Sequence, residues 1–224
     1  PLGRFDLLLV DEARGVPIKG DGLYLQFIAE CRRFNPDLRV IGLTATPYRL
    51  QGAAVPVCGP DNVLQAIAYE ARIGDLIEQG YLSRLVSRAG SARADLSGVH
   101  TRGGEYIEAE LARAVDRTEL VEAACDEIVA HASGRRAIIV FAVTVQHAEH
   151  VCAALKARGV ATGIVHGAQA TGERNATIAQ FQRGALRALV NVNVLSEGFD
   201  APHIDCVAML RPTKSPGLYY QQVG

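Results

Sequence analysis

The sequence predicts an α/β protein with parallel sheets, in two domains at residues 1–81 and 82–224. Three observations carry this expectation. Short apolar runs at 5–10, 39–44, 137–142, 161–165, 188–192 and 205–210 alternate with segments of helical period, the signature of a parallel sheet with helices on both faces. The first run, Phe5 to Val10, has no polar alternation, as in a strand buried on both sides. It then ends abruptly in Asp11 and Glu12, and sheets of this class bind ligands beyond the carboxyl ends of their strands.

The elements follow in order. Leu23 to Phe34 sets Tyr24, Phe27, Ile28 and Cys31 on one helical face, and Asn35-Pro36 stops the helix. Arg39 to Thr44 is a second buried strand. Gln51 to Pro60, rich in Gly, Pro and Ala, is expected as a loop, followed by short helices over 61–71 and 74–79 and a strand over 82–88 that leads into the second domain. Between 89 and 104 small and polar residues with four glycines mark a flexible connection or exposed hairpin. Helices are expected over 105–115 and 118–132, the second behind a D-x-x-E start, Asp116 and Glu119. From Ala137 the alternation is regular: strands 137–142, 161–165, 188–192 and 205–210, helices 144–158 and 171–183, and a last helix capped by Ser215 with Pro216 in its first position.

Composition bounds the function. The net charge of -1 lacks the basic excess of many nucleic-acid binders, so nucleic acid cannot be argued from charge. No apolar stretch is long enough to cross a bilayer and no signal peptide is evident, so no membrane partner and a cytoplasmic location are expected. The 5 cysteines are scattered and never in a CxxC pair, which suggests reduced core residues.

Asp11 and Glu12 at a strand end suit phosphoanhydride hydrolysis, one carboxylate holding Mg2+ and the other orienting and deprotonating the attacking water. An acidic pair after a strand is also a common turn, so the pair alone leaves both readings open. The second strand ends in Thr44-Ala45-Thr46-Pro47 and brings two hydroxyls to the same sheet edge.

At this point the chain resembles the superfamily 2 helicases and translocases, in which a DEAD or DEAH box precedes a Ser/Thr-Ala-Thr box. AIIVFA at 137–142 resembles the motif that opens the second RecA-like domain, and His166-Gly167 with Glu173-Arg174 the segment after it. LVNVNVLSEGFDAP at 189–202 resembles motif V, and YQQVG at 220–224 the start of a QxxGRxxR motif VI. The wording GLTATPYRL, NVNVLSEGFDAP and LRPTKSPGLYYQQVG is similar to the RadD-like DNA repair helicases.

The resemblance implies two RecA-like domains, the first incomplete, with ATP and Mg2+ as cofactors and DNA rather than RNA as partner. It assigns Asp11 to magnesium, Glu12 to the general base, Thr44 and Thr46 to a link with the acidic box, Gly198 and Asp200 to the nucleotide, and Gln221 to motif VI. For nucleic acid the candidates are Arg49, His166 and Arg174, with Asn191, Asn193 and Ser196 as uncharged donors for phosphate or ribose oxygens; Arg211 and Lys214 join them near the last helix. Arg14 departs from the His or Asp usual at its position, and Val192 from a frequent Thr. No G-x-x-x-x-G-K-[ST] loop precedes Phe5 and the motif VI arginines are absent, so residues 1–224 alone are expected not to hydrolyse ATP. The rival expectations are the motor segment of a restriction or repair nuclease and a non-hydrolysing nucleic-acid clamp. His147 and His150 share a helix face without a third metal ligand and are expected in solvent. Tyr219 and Tyr220 are expected as half-buried helix positions.

Overall fold

The computed structural model describes residues 3–20, 22–51, 53–195, 199 and 201–223, without the side chains of 49–51, 53 and 54. The chain separates into two compact units, 1–88 and 89–224. The expected strand over 82–88 has no regular structure, and these residues fall with the first unit.

In the first unit, β1 (Leu7–Val10) and β2 (Arg39–Gly42) pair in parallel, with Leu7 opposite Arg39 and Val10 opposite Gly42. The crossover between them is α1 (Leu23–Phe34), which ends before Asn35-Pro36 as the sequence requires. Val10, Ala13 and Val16 form the core with Leu8, Leu25, Val40 and Leu64. The opposite face is open: Leu7, Leu9 and Ile41 are 48%, 61% and 47% exposed. This corrects the expectation of strands buried on both sides, because a single crossover helix covers only one face of the pair. On α1 the predicted apolar face is likewise split, with Ile28 and Cys31 buried and Tyr24 and Phe27 exposed.

Two further corrections concern 48–71. β3 (Tyr48–Gln51) and β4 (Ala53–Pro56) pair antiparallel, so that β4 occupies ground read as a loop, and Val57 N–H extends the pairing by donating to the Pro47 carbonyl at 2.9 Å. Instead of a helix over 61–71 there are closed turns, in which Asn62 Nδ2 donates to the Val57 carbonyl at 3.0 Å. The short helix α2 (Ile73–Glu78) is present.

The second unit opens with a hairpin of β5 (Thr101–Arg102) and β6 (Glu105–Tyr106), turned by Gly103 and Gly104 at φ 62 and 88. Glu105 and Tyr106 belong to this hairpin, so α3 (Glu108–Val115) starts later than expected. Helix α4 (Thr118–His131) starts where expected but makes no side-chain cap; Asp116 meets His150 Nδ1 at 2.7 Å instead. The main sheet contains β7 (Ile138–Phe141), β8 (Thr162–His166), β9 (Ala188–Val192) and β10 (Cys206–Met209) in the order β10-β7-β9-β8, all parallel. Between them run α5 (Val145–Ala157) and α6 (Thr171–Gln182), and α7 (Pro216–Val223) follows β10.

The period of two in the strands divides the core. Ile138, Val140 and Val190 pack with Val121, Cys125 and Ile128 of α4 and Val151 and Leu155 of α5. Ile139, Phe141 and Leu189 face the other way, onto Phe181 and Ile178 of α6. Asp205 anchors the start of β7 by accepting the N–H groups of Arg136 and Ala137 at 2.9–3.0 Å. All 5 cysteines are free, three of them buried, as the scattered spacing suggested.

Candidate functional site

Parallel pairing in register fixes what leaves the edge of the first unit. Because Val10 lies opposite Gly42, Asp11 and Leu43 emerge side by side, tied by Leu43 N–H to the Val10 carbonyl at 2.8 Å. Ala13 N–H then donates to the Leu43 carbonyl at 2.9 Å, closing the acidic turn onto the threonine segment. Gly42 permits this contact: a methyl group there would lie 2.5 Å from Ala13 Cβ. The four predicted residues Asp11, Glu12, Thr44 and Thr46 thus share one end of the β1–β2 pair.

The turn is built around Glu12, whose backbone is left-handed at φ 46 and ψ 46, uncommon for a residue with a side chain. Asp11 is exposed, and its Oδ1 accepts the Glu12 N–H at 2.9 Å. One oxygen of Glu12, Oε2, is buried and ion-paired with Arg14 Nε at 3.4 Å, without a hydrogen bond. The exposed Asp11 carboxylate beside the Arg14-paired Glu12 suits a magnesium nucleotide, since Mg2+ keeps several waters and takes one or two carboxylates with phosphate oxygens. Among the described residues no cluster of three or more His, Cys, Asp or Glu forms a metal cage. Thr44 Oγ1 donates to the Thr46 carbonyl at 3.1 Å and accepts the Thr46 N–H at 3.2 Å. These bonds close a turn within the threonine segment, and Thr46 is buried in it.

In the second unit the carboxyl edge gathers His166, Asn193 and Arg211. Asn193 is exposed with φ 54, and its Oδ1 accepts from Arg211 Nη1. His166 is half-buried, its N–H donating to Gln169 Oε1 at 3.0 Å and its Nδ1 buried without a partner. Arg174 is half-buried in the first turn of α6. Asn191 differs from the expectation: it is 1% exposed, and its Oδ1 accepts the N–H groups of Val194 at 3.1 Å and Leu195 at 2.9 Å. Its position in β9 points it inward, so it shapes the turn rather than meeting a phosphate. Ser196, Gly198 and Asp200 lie outside the described residues, as does the side chain of Arg49, whose backbone runs in β3.

Gln221 sits half-buried in α7. Ser215 caps this helix as expected, its Oγ accepting the Leu218 N–H at 3.2 Å. Tyr219 and Tyr220 are 42% and 47% exposed with rings edge to face at 6.0 Å. His147 is not in solvent: it is buried, its Nδ1 accepting the Val143 N–H at 3.3 Å, and burial lowers its pKa. Sequence reasoning missed Glu105, whose carboxylate binds the segment leading into α7; a contact across more than a hundred residues leaves no local signal.

Residues 119–224 match the model of the helicase conserved C-terminal domain. Among curated proteins the chain is 28% identical over 188 residues to IRC3 of Saccharomyces cerevisiae, spanning 83% of this chain and 26% of that protein. It is 30% identical over 225 residues to mitochondrial irc3 of Schizosaccharomyces pombe, spanning 98% of this chain and 35% of that protein. Both relatives are named as candidate ATP-dependent helicases. The chain therefore spans between about a quarter and about a third of these relatives' length. Among solved structures, Saccharomyces cerevisiae Dbp5 bound to RNA and ADP BeF3 aligns over 100% of this chain and 50% of its own, at TM-score 0.50 and 20% identity. A variant of Dbp5 with the same ligands aligns over 97% of this chain and 49% of its own, at TM-score 0.52 and 18% identity. The structural likeness shows a mixed α/β, RecA-like fold.

Proposed function

We propose that residues 1–224 are part of the motor of an ATP-dependent superfamily 2 helicase or translocase of the RadD-like branch, acting on DNA in repair or recombination. The observation that carries the reading is the shared edge of the first unit, where Asp11, Glu12, Thr44 and Thr46 emerge together with the Glu12 carboxylate held by Arg14. The RadD-like wording of the segments at 42–50, 191–202 and 210–224 supports the branch and a DNA partner. Unpaired, largely buried cysteines suit a reducing compartment such as the cytoplasm.

In this reading Asp11 holds Mg2+, and Glu12 orients a water and accepts its proton. Held by Asp11, Mg2+ would supply positive charge to neutralise the phosphates. Thr44 fixes the turn beside the acidic pair. Asn193, exposed at the second unit's edge and held by Arg211, presents its amide where it suits nucleic-acid phosphate. Gly198, Asp200, Ser196, Arg49, His166, Arg174 and Gln221 keep the roles their motifs imply, and the first RecA-like domain gives way to the second within 82–88. Residues 1–224 by themselves hydrolyse no ATP.

The test is ATP turnover by the native protein containing this chain, with single-stranded DNA, duplex DNA and RNA as separate stimulants. DNA should stimulate most. The Glu12→Gln variant should retain nucleotide binding while kcat drops by about 100-fold or more. Turnover of wild type unaffected by all three nucleic acids would end the motor reading; equal turnover by Glu12→Gln would remove Glu12 from its role.

A further inference from the structure

The geometry points to Glu105 as a positioning residue that seats α7, the helix bearing Gln221, through the segment 213–215. The inference rests on the motor reading for its consequence but not for its contacts. Glu105 lies at the end of the small hairpin, far in sequence from α7, yet its carboxylate is almost wholly used there. Oε2 accepts the Thr213 hydroxyl, and Oε1 accepts the N–H of Lys214 at 3.1 Å as well as that of Tyr106 at 2.8 Å. The next links run in series toward the helix. Thr213 Oγ1 accepts the Ser215 N–H at 2.9 Å, and Ser215 Oγ caps α7 through Leu218 N–H at 3.2 Å.

Two more contacts tie the same segments. Lys214 Nζ stands 5.0 Å from the centroid of the Tyr106 ring, and Arg211 Nη2 lies 4.0 Å from Glu108 Oε2 at the start of α3. An ionised acceptor with several donors makes stronger bonds than a neutral one, and a chain of such bonds acts as a unit. Burial alone would raise the Glu105 pKa, but the Thr213 hydroxyl and the Tyr106, Lys214 and Ser215 N–H groups outweigh it and hold the carboxyl below its ordinary value. The group is therefore charged throughout the neutral range. Nothing in the general α/β fold calls for this arrangement. The main sheet is complete without the hairpin, whose contacts instead fix the chain between β10 and α7.

Two measurements test it with Glu105→Ala, Glu105→Gln and Thr213→Val. In the 224-residue chain, amide hydrogen exchange in 215–223 should accelerate about 10-fold in Glu105→Ala and Thr213→Val while α4 stays protected. Glu105→Gln, which keeps an acceptor for the Lys214 and Tyr106 N–H groups, should recover part of that protection. In the native protein with its stimulating nucleic acid, Glu105→Ala should lower kcat about 10-fold with KM for ATP within twofold, and the glutamine should rescue in part. Unchanged exchange in α7 overturns the inference, and so does accelerated exchange with unchanged kcat. If wild type shows no stimulated turnover, the motor reading falls, and exchange alone decides whether Glu105 seats the helix.

Discussion

A single methyl group at Gly42 tests how the acidic turn is held. An ideal Cβ on Gly42 would lie 2.5 Å from Ala13 Cβ, and 2.9 and 3.3 Å from the two Leu64 methyl carbons. Leu64 can rotate away. Ala13 cannot: it is wholly buried, its Cβ is one bond from the backbone, and its N–H is held by the Leu43 carbonyl at 2.9 Å. Ordinary carbon contacts begin near ~3.5 Å, so the Gly42→Ala variant must open this gap by about 1 Å. Because Ala13 directly follows Glu12, most of that shift passes to the carboxylate. Overpacking of this kind costs about 1–3 kcal/mol of stability, and misplacing a reacting group by about 1 Å costs on the order of 100-fold in rate. The assay is stimulated ATP turnover of the native protein, with urea unfolding in parallel. Combining Gly42→Ala with Ala13→Gly removes the opposing methyl and should recover most of the lost turnover. A Gly42→Ala variant with wild-type kcat and midpoint would refute the claim that β2 packing sets the position of Glu12.

Three other expectations follow from groups in the second unit. Asn191→Ala removes the acceptor of two N–H groups, that of half-buried Val194 and that of buried Leu195, and should cost about 1–3 kcal/mol in urea unfolding; a loss confined to DNA affinity would contradict its buried placement. Burial pushes the Cys125 thiol up to about 11, so at neutral pH iodoacetamide should label it only as fast as the chain unfolds, and rapid labelling of the native protein would count against this core. Burial of Asp205 acts to raise its pKa, but the Ala137 and Arg136 N–H groups and the nearby arginines outweigh this and hold it below the ordinary value. A carboxyl lowered on folding contributes stability above its unfolded pKa of about 4, and loses it as pH falls through the folded value. Asp205→Asn should therefore flatten acid unfolding between pH 4 and lower values, which a thermal midpoint series in pH would reveal.

Legibility in the sequence followed the range of the forces involved. Local chemistry was readable: α1 spans the predicted residues, and Ser215-Pro216 starts α7. The regular alternation after Ala137 gave the parallel sheet because strand and helix periods there do not compete. Where partners are distant, reading failed. The Ala-rich strand at 53–56 has little strand propensity and exists because it pairs with 48–51. Asp116 had the spacing of a capping box, but His150 captured its carboxylate. The apolar run of β1 predicted a strand correctly and its two-sided burial incorrectly, since composition records apolarity and not what covers each face. For the candidate site, Asp11, Glu12, Thr44 and Thr46 were foreseeable as a group because parallel strands in register end together.

The two asparagines at the end of β9 show why strand-end residues cannot be assigned from residue type alone. Both are uncharged and both follow a buried valine, yet they stand on opposite sides of a change in backbone direction. Asn191 still obeys the strand, so its side chain enters the interior, where an amide must find partners or carry the cost of desolvation. It satisfies its oxygen by folding the next residues back, through Val194 and Leu195, and leaves Nδ2 buried without a partner. Asn193 has left the strand for a left-handed backbone at φ 54, a conformation asparagine tolerates better than most residues. That reversal carries its side chain out to Arg211. One asparagine thus makes the turn and the other is presented by it, and truncating the first should displace the second. The paired variants separate the two roles: Asn191→Ala should weaken stability and any nucleic-acid binding together, whereas Asn193→Ala should leave the urea midpoint within about 0.5 kcal/mol of wild type and act on binding alone.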